Sequence, residues 1–294
     1  MSKSILDLIG NTPLVKSRVL NTNTNVDLYF KLEGHNPGGS VKDRPALNMI
    51  KNGLERGDFT KESKLIEATS GNTGIGLAMV ARVYGLDIEL VMPENSTKER
   101  IQTMRAYGAK VTLTSADIGI EGARDYAENK VKHEGFIMLN QFANSDNWRA
   151  HYHTTGPEIW RDTDEKITHF VSSMGTTGTI TGASTFFKEQ SSGIKIIGVQ
   201  PEEGSRIPGI RKWSPEYVPS IYDSSKVDDI LYVNQKEAAV MAKRLAKEEG
   251  IFSGMSSGGA ATVALRITQQ LTKGVVVSIV CDRGDRYLSS DLFE

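Results

Sequence analysis

Gly175, Thr176, Thr177, Gly178 and Thr179 follow an apolar run at 167–172 and precede a helical pattern that sets in near Ile180. Two glycines at such a place let the backbone approach a ligand closely. Three hydroxyls add donors, and the helix N-terminus offers free N–H groups with a partial positive charge. A phosphate can be held this way, although an ordinary strand-to-helix turn has the same composition. The stretch lacks the lysine of a nucleotide P-loop and the GxGxxG spacing of a dinucleotide site, which favours the phosphate of another cofactor. Thr69, Ser70, Gly71, Asn72, Thr73 and Gly74 repeat the arrangement in the first half of the chain. Their small hydroxyl and amide side chains suit an anion such as a carboxylate, or merely a tight turn. Ligands of open parallel sheets sit beyond the carboxyl ends of the strands, so the two loops can face one cleft.

Lys42 stands in Ser40-Val41-Lys42-Asp43-Arg44, after a Gly/Pro-rich stretch at 34–39 that excludes regular structure. Pro45 is tolerated only in the first turn of a helix, which places the helix start near Asp43 and Lys42 at its lip. A positive helix end beside an amine disfavours the ammonium form and helps free a nucleophile or base; most such lysines are nonetheless surface residues. Gly254, Met255, Ser256, Ser257, Gly258 and Gly259 again precede a helical pattern. Cys281 ends the most apolar run and reads as a buried strand residue. His151 and His153, two apart, would share one face of a strand, but no third ligand lies near them and no Cys/His cluster has metal-site spacing.

The elements that must position these residues alternate. Val26, Leu28, Phe30 and Leu32 interleave with polar neighbours in a period of two, the mark of a half-buried strand. Further strands are expected at 64–68, 88–92, 110–114, 167–172, 194–200 and 275–281. Helical patterns lie between them, one ending at Gly85 and one at Gly108. Such alternation predicts an α/β fold with parallel strands and helices on both faces, in two units. The break is expected around 142–155. From 202 to 226 the chain carries Pro208, Pro215 and Pro219 without periodicity, and a loop of this length is usually functional or mobile.

Composition narrows the function. The 294 residues have a formal net charge of -1, with 38% hydrophobic and 24% charged residues. That is a globular balance without the basic field that nucleic acid or an anionic membrane requires. A single cysteine and no signal-peptide or membrane-span pattern at the start lead to the expectation of a cytoplasmic protein.

Together, Ile9-Gly10-Asn11-Thr12-Pro13-Leu14, Lys31-Leu32-Glu33-Gly34, the Lys42 segment, the 69–74 loop, the 175–179 loop and Ser256-Ser257-Gly258 resemble the cysteine synthase family over nearly the whole chain. The resemblance implies a two-domain, tryptophan synthase β-like α/β fold (fold type II) with pyridoxal 5'-phosphate as cofactor. It implies a smaller movable domain at 37–144 and a larger cofactor domain formed by 1–36 and 145–294. Lys42 would hold the cofactor as an internal aldimine and then move the substrate α-proton. Asn72 would bond the cofactor's ring oxygen, Gly175, Thr176, Thr177, Gly178 and Thr179 its phosphate, and Ser256 would face its pyridine nitrogen. Thr69, Ser70, Gly71, Thr73 and Gln141 would bind the substrate. The expected reaction is β-replacement on O-acetyl-L-serine: loss of acetate to an aminoacrylate, then addition of sulfide to give L-cysteine. A homodimer is implied as well.

Pro201-Glu202-Glu203-Gly204-Ser205, the 207–211 stretch and Asp282-Arg283-Gly284-Asp285-Arg286-Tyr287 are similar to the B-type branch, which also accepts thiosulfate. Arg211 is the expected cation for that dianion. Pro45 departs from the small or aliphatic residue expected there, which touches only the helix start. An A-type enzyme restricted to sulfide, a cystathionine β-synthase-like lyase and, more remotely, a non-catalytic metabolite-sensing scaffold remain alternatives.

Overall fold

A computed structural model describes residues 4–294; residues 1–3 of the expected 1–36 segment lie outside the described residues. The elements in chain order are β1 (Leu14–Lys16), β2 (Val26–Leu32), α1 (Asp43–Arg56), β3 (Lys64–Ala68), α2 (Asn72–Tyr84), β4 (Asp87–Pro93), α3 (Lys98–Ala106), β5 (Lys110–Thr114), α4 (Gly119–Glu134) and β6 (Ile137–Met138). They continue with α5 (Ser145–Ala150), a π-helical turn (His151–Thr155), α6 (Gly156–Asp162), β7 (His169–Ser173), α7 (Gly178–Gln190), β8 (Lys195–Pro201), β9 (Asp229–Val233), α8 (Gln235–Glu249), α9 (Met255–Gln270) and β10 (Gly274–Val280).

Two sheets result. One has the strand order β1-β2-β10-β7-β8-β9 and the other β5-β4-β3-β6. Every pairing is parallel except β1 with β2, where Val15 opposes Phe30. The smaller sheet takes all its strands from residues 64–138, whereas the larger one unites residues 14–32 with residues 169–280. This fold is the expected α/β class, with parallel sheets and covering helices.

Hydrophobic pattern explains the layers. In β8, Ile197 and Val199 join the core with α8 and α9, while Ile196 packs on the other face with Phe170, Ile180 and Phe187. A strand buried on both faces reads as a continuous apolar run. In the smaller unit Leu65, Ile75, Leu77, Leu90 and Met92 form a third core with Met49 and Ile50 of α1. Each such fully buried side chain contributes about 1.5–3 kcal/mol through removal of apolar surface from water. Gly85 ends α2 at φ 71°, donating its N–H to Arg82 and Leu86 donating to Ala81, a left-handed turn that any residue with a Cβ would strain.

Residues 142–155, expected to separate the two units, are largely helical. α5, the π turn and α6 form one run from the smaller sheet toward the larger. His151 and His153 therefore do not share a strand face: His151 is buried and His153 is exposed. The strand at the end of the chain stops at Val280, leaving Cys281 just beyond it. β1, β6, β9, α4 and α8 add to the elements expected from sequence. The chain from 202 to 226 holds no strand or α-helix, as its prolines require.

Candidate functional site

Lys42 lies at the N-cap of α1, and Pro45 sits in the first turn, where a missing N–H costs nothing. Val41 N donates to Cys281 O at 2.8 Å, and Ser40 bridges Asp282. The lysine is thus clamped against the end of β10. Gly76 lets α2 lie close on the other side, since a Cβ there would come within 3.1 Å of Lys42 O. Burial lowers the Lys42 pKa from its ordinary value, against the opposing pull of Cys281 and Asp282. The depression expected at a helix lip is present, with desolvation as its main cause. Among the described residues the amine has no ion pair.

The first turn of α1 rests on buried charge. Arg44 Nε meets Glu33 at 2.7 Å and Arg44 Nη1 meets Glu158 at 2.7 Å; Lys31 Nζ lies 2.8 Å from Glu158 and donates to Thr12 O at 2.7 Å. The Glu158 carboxyl is raised by burial but lowered more by Arg44 and Lys31, to about 2. Two cations and two carboxylates compensate one another, so the strand β2, the α1 start and α6 are locked into one block beneath Lys42.

Asn72 opens α2 and points at the other clamp residue: its Nδ2 donates to Asp282 Oδ2 at 2.7 Å, while Arg286 donates to its Oδ1. Tyr287 Oη also donates to Asp282 Oδ2, at 2.8 Å. Thr69 is buried at the end of β3, and Thr73 Oγ1 donates to Gln141 Oε1 at 2.7 Å. Gln141 N and Asn140 N donate to Glu67, at 3.3 and 2.8 Å, and burial pushes that carboxyl up to about 7.

Thr177 takes φ 69° and caps α7 with no side-chain hydrogen bond to the helix. Gly178 N donates only weakly, to Thr176 Oγ1 at 3.5 Å, and no side chain caps the first turn, so this end can serve a ligand. A Cβ on Gly178 would collide with Asn147 Oδ1, itself buried without a partner. Asn147 Nδ2 donates to Gln141 O at 2.6 Å and to Thr176 Oγ1 at 3.2 Å, joining the expected substrate and phosphate loops. His151 Nε2 meets Thr179 Oγ1 at 3.3 Å; burial, with Arg44 and Lys42 nearby, holds its pKa well below the ordinary value. It is a neutral buttress of the loop.

Ser256 is buried in the first turn of α9. Ser173 Oγ donates to Ser256 O at 2.7 Å, and Ser257 Oγ accepts from Cys281 N at 2.9 Å. The irregular chain crosses here: a Cβ on Gly175 would come within 2.8 Å of Gly209 O, and one on Gly209 within 3.3 Å of Ser256 Oγ. Arg211 N donates to Met174 O at 2.8 Å and its guanidinium lies 5.2 Å from the Trp213 ring centroid. Arg211 lines a cavity of about 340 Å³ together with Ser70 and Arg100.

Contacts link these segments in a chain: Ser40 beside Lys42 bridges Asp282, which accepts from Asn72; Thr73 bonds Gln141, and Asn147 joins Gln141 to Thr176. His153 is exposed and takes no part in these contacts. Asp282, Arg286, Asn147 and Cys281 are the site members that carried no expected role. Burial pushes the Cys281 thiol up to about 12, with Asp282 adding and Lys42 and Ser256 opposing, so it stays protonated. The donor set suits pyridoxal phosphate: an uncapped helix end with buried hydroxyls at Thr176, Thr177 and Thr179, a neutral hydroxyl at Ser256, and a half-buried amine of lowered basicity.

Residues 5–282 match the family described as pyridoxal-phosphate dependent enzyme. A cysteine synthase B of Pseudomonas aeruginosa is 56% identical over 292 residues, 99% of this chain and 97% of the relative. A cysteine synthase B of Escherichia coli is 54% identical over 285 residues, covering 97% and 94% of the two chains. Among solved structures, a cysteine synthase of Entamoeba histolytica aligns with a TM-score of 0.95 at 36% identity, covering all of this chain and 91% of its own. Sequence, fold and the geometry around Lys42 agree: this chain belongs to the pyridoxal-phosphate dependent enzymes, on their cysteine synthase B branch.

Proposed function

We propose that this chain makes L-cysteine from O-acetyl-L-serine and sulfide, with pyridoxal phosphate as its cofactor, and that it also accepts thiosulfate to give S-sulfocysteine. The convergence of Lys42 with two uncapped helix ends, at Asn72 and Gly178, carries this reading.

When bound, the cofactor supplies an electron sink for the charge that develops on the substrate Cα. The chain supplies the rest. The 175–179 loop would hold the phosphate, and the second N–H of the Asn72 amide, not engaged by Asp282, would be free for the ring oxygen. Gln141 Oε1 accepts from Thr73 and its amide also bonds Glu67, which leaves one Gln141 N–H for the substrate carboxylate, together with Thr69, Ser70 and the backbone at Gly71. Lys42 Nζ, its basicity lowered by burial, takes the α-proton and returns it later. Acetate leaves Cβ, and the sulfur nucleophile forms its bond at the same carbon. Ser256 would face the pyridine nitrogen with a neutral hydroxyl, which would limit charge on the ring and favour loss of the β-substituent over transamination. Two half-reactions imply ping-pong kinetics.

Within this reading, 37–144 is the unit that closes over substrate, Arg211 meets the thiosulfate dianion, and the enzyme works as a cytoplasmic homodimer. Exposed Ile5, Leu8 and Val83, which rim a surface hollow of about 410 Å³, offer apolar area for such pairing. Product analysis tests the proposal. O-acetylserine with sulfide should give cysteine, with thiosulfate S-sulfocysteine, and Arg211→Ala should weaken the second reaction more than the first. Absence of S-sulfocysteine removes thiosulfate from the reading, and absence of cysteine contradicts it entirely.

A further inference from the structure

Arg100 and Arg211 line the same cavity of about 340 Å³, and no carboxylate lines it with them. Arg100 comes from the first turn of α3 in the smaller unit; Arg211 comes from the irregular chain after β8. Ser70, Asn95, Ser96 and Thr97 supply short polar walls. Glu99, the acid beside Arg100, feels its charge, but its hydrogen bonds go to Ser289, from N at 3.1 Å and Oγ at 2.7 Å.

Arg100 is held in place. Its guanidinium stacks 5.1 Å from the Tyr287 ring centroid, and Nη1 faces Ser70 O at 3.5 Å. Its Nε is buried and has no partner among the described residues. A buried donor left unsatisfied is unfavourable, and two guanidinium groups around one hollow repel. One oxyanion between them relieves that repulsion. We propose that Arg100 is a specificity-determining residue which, with Arg211, receives a divalent sulfur oxyanion beside the substrate loop.

This inference rests on the thiosulfate reading above. Guanidinium forks match oxyanion geometry, whereas hydrosulfide has no oxygen to accept from them. The pair therefore separates the two nucleophiles by both charge and shape. Because the arginines come from different units, the dianion also draws the smaller unit toward the larger one.

Steady-state kinetics of the cofactor-loaded enzyme tests the role, with Arg100→Ala and Arg100→Lys compared to the parent. Arg100→Ala should raise KM for thiosulfate about tenfold or more, while kcat, the sulfide reaction and KM for O-acetylserine stay within about twofold. Arg100→Lys should recover part of the loss. Equal losses with both nucleophiles, not rescued by lysine, would assign Arg100 to packing against Tyr287 and overturn the proposal. If the parent makes no S-sulfocysteine, the thiosulfate reading has failed, and inorganic sulfate then probes the arginine pair as an inhibitor of the sulfide reaction at matched ionic strength. Inhibition weakened about tenfold in Arg100→Ala sustains the two-arginine site; unchanged inhibition overturns it.

Discussion

Asn72 and Asp282, 210 residues apart, share a 2.7 Å hydrogen bond that ties the first turn of α2 to the end of β10. Asp282 also accepts from Tyr287 Oη and from Gly254 N, at 2.8 and 3.3 Å. One buried carboxylate thus aligns the Asn72 amide, the α9 start and the C-terminal turn, next to the Lys42 segment it bridges through Ser40.

Asp282→Ala should strand several buried donors at once. The expected loss is about 2–4 kcal/mol of stability, at about 1–3 kcal/mol for each buried donor left unpaired, read from urea unfolding of the cofactor-free chain. Cofactor affinity should fall with it, because Asn72 loses its orientation. A variant with parental affinity would remove Asp282 from the positioning role.

The Arg44 block makes a second prediction. Arg44→Met leaves Glu33 and Glu158 without their main counter-charge and should cost about 3–5 kcal/mol, as for any broken buried pair. The sign with pH follows from Glu158, whose folded value of about 2 lies below the ordinary 4.5. Its stabilisation is full above about pH 4.5 and disappears as pH falls toward 2. Urea midpoints against pH should therefore show an acid limb in that window for the parent and a displaced one in Arg44→Met.

Glu67 works in the opposite sense. Burial raises its folded value from 4.5 to about 7, so the folded state keeps a proton that the unfolded chain has released between those values. Stability is lost as pH rises through that window, on the order of 3 kcal/mol at 1.4 kcal/mol per unit. Glu67→Gln removes the titration, so the variant should gain on the parent between pH 5 and pH 8. A stability difference that does not change with pH would contradict the burial argument. The strained Asn140, at φ 53°, is held by this carboxylate.

Gly178→Ala places a methyl group against Asn147 Oδ1 at the mouth of the α7 N-terminus. Fluorescence titration of the cofactor-free protein with pyridoxal phosphate should show affinity reduced by at least about tenfold, the loss of one or more charge-assisted bonds to phosphate. Unchanged affinity would place the phosphate elsewhere.

Much of this site was legible from sequence because helix starts leave local marks. Pro45 announces the turn that carries Lys42, and the Gly/Thr and Ser/Gly runs at 175–179 and 69–74 announce uncapped helix ends. The links between these pieces were not legible. Asn147 reads as one polar residue in an Asn-rich stretch, yet it joins Gln141 to Thr176. Arg100 carried no expectation from sequence, and only the fold sets it against Tyr287. His151 and His153 misled because a spacing of two means one face only in a strand, and the buried His151 belongs to a helical turn that braces Thr179.

The central claim is that Lys42 carries the cofactor and moves the proton. It is tested most directly by reducing the pyridoxal phosphate-loaded protein with borohydride and mapping the labelled peptide, alongside Lys42→Ala assayed for cysteine formation. The account predicts the label on Lys42 alone and no turnover in Lys42→Ala. A label on another lysine, or cysteine formed by the variant at the parental rate, would contradict it.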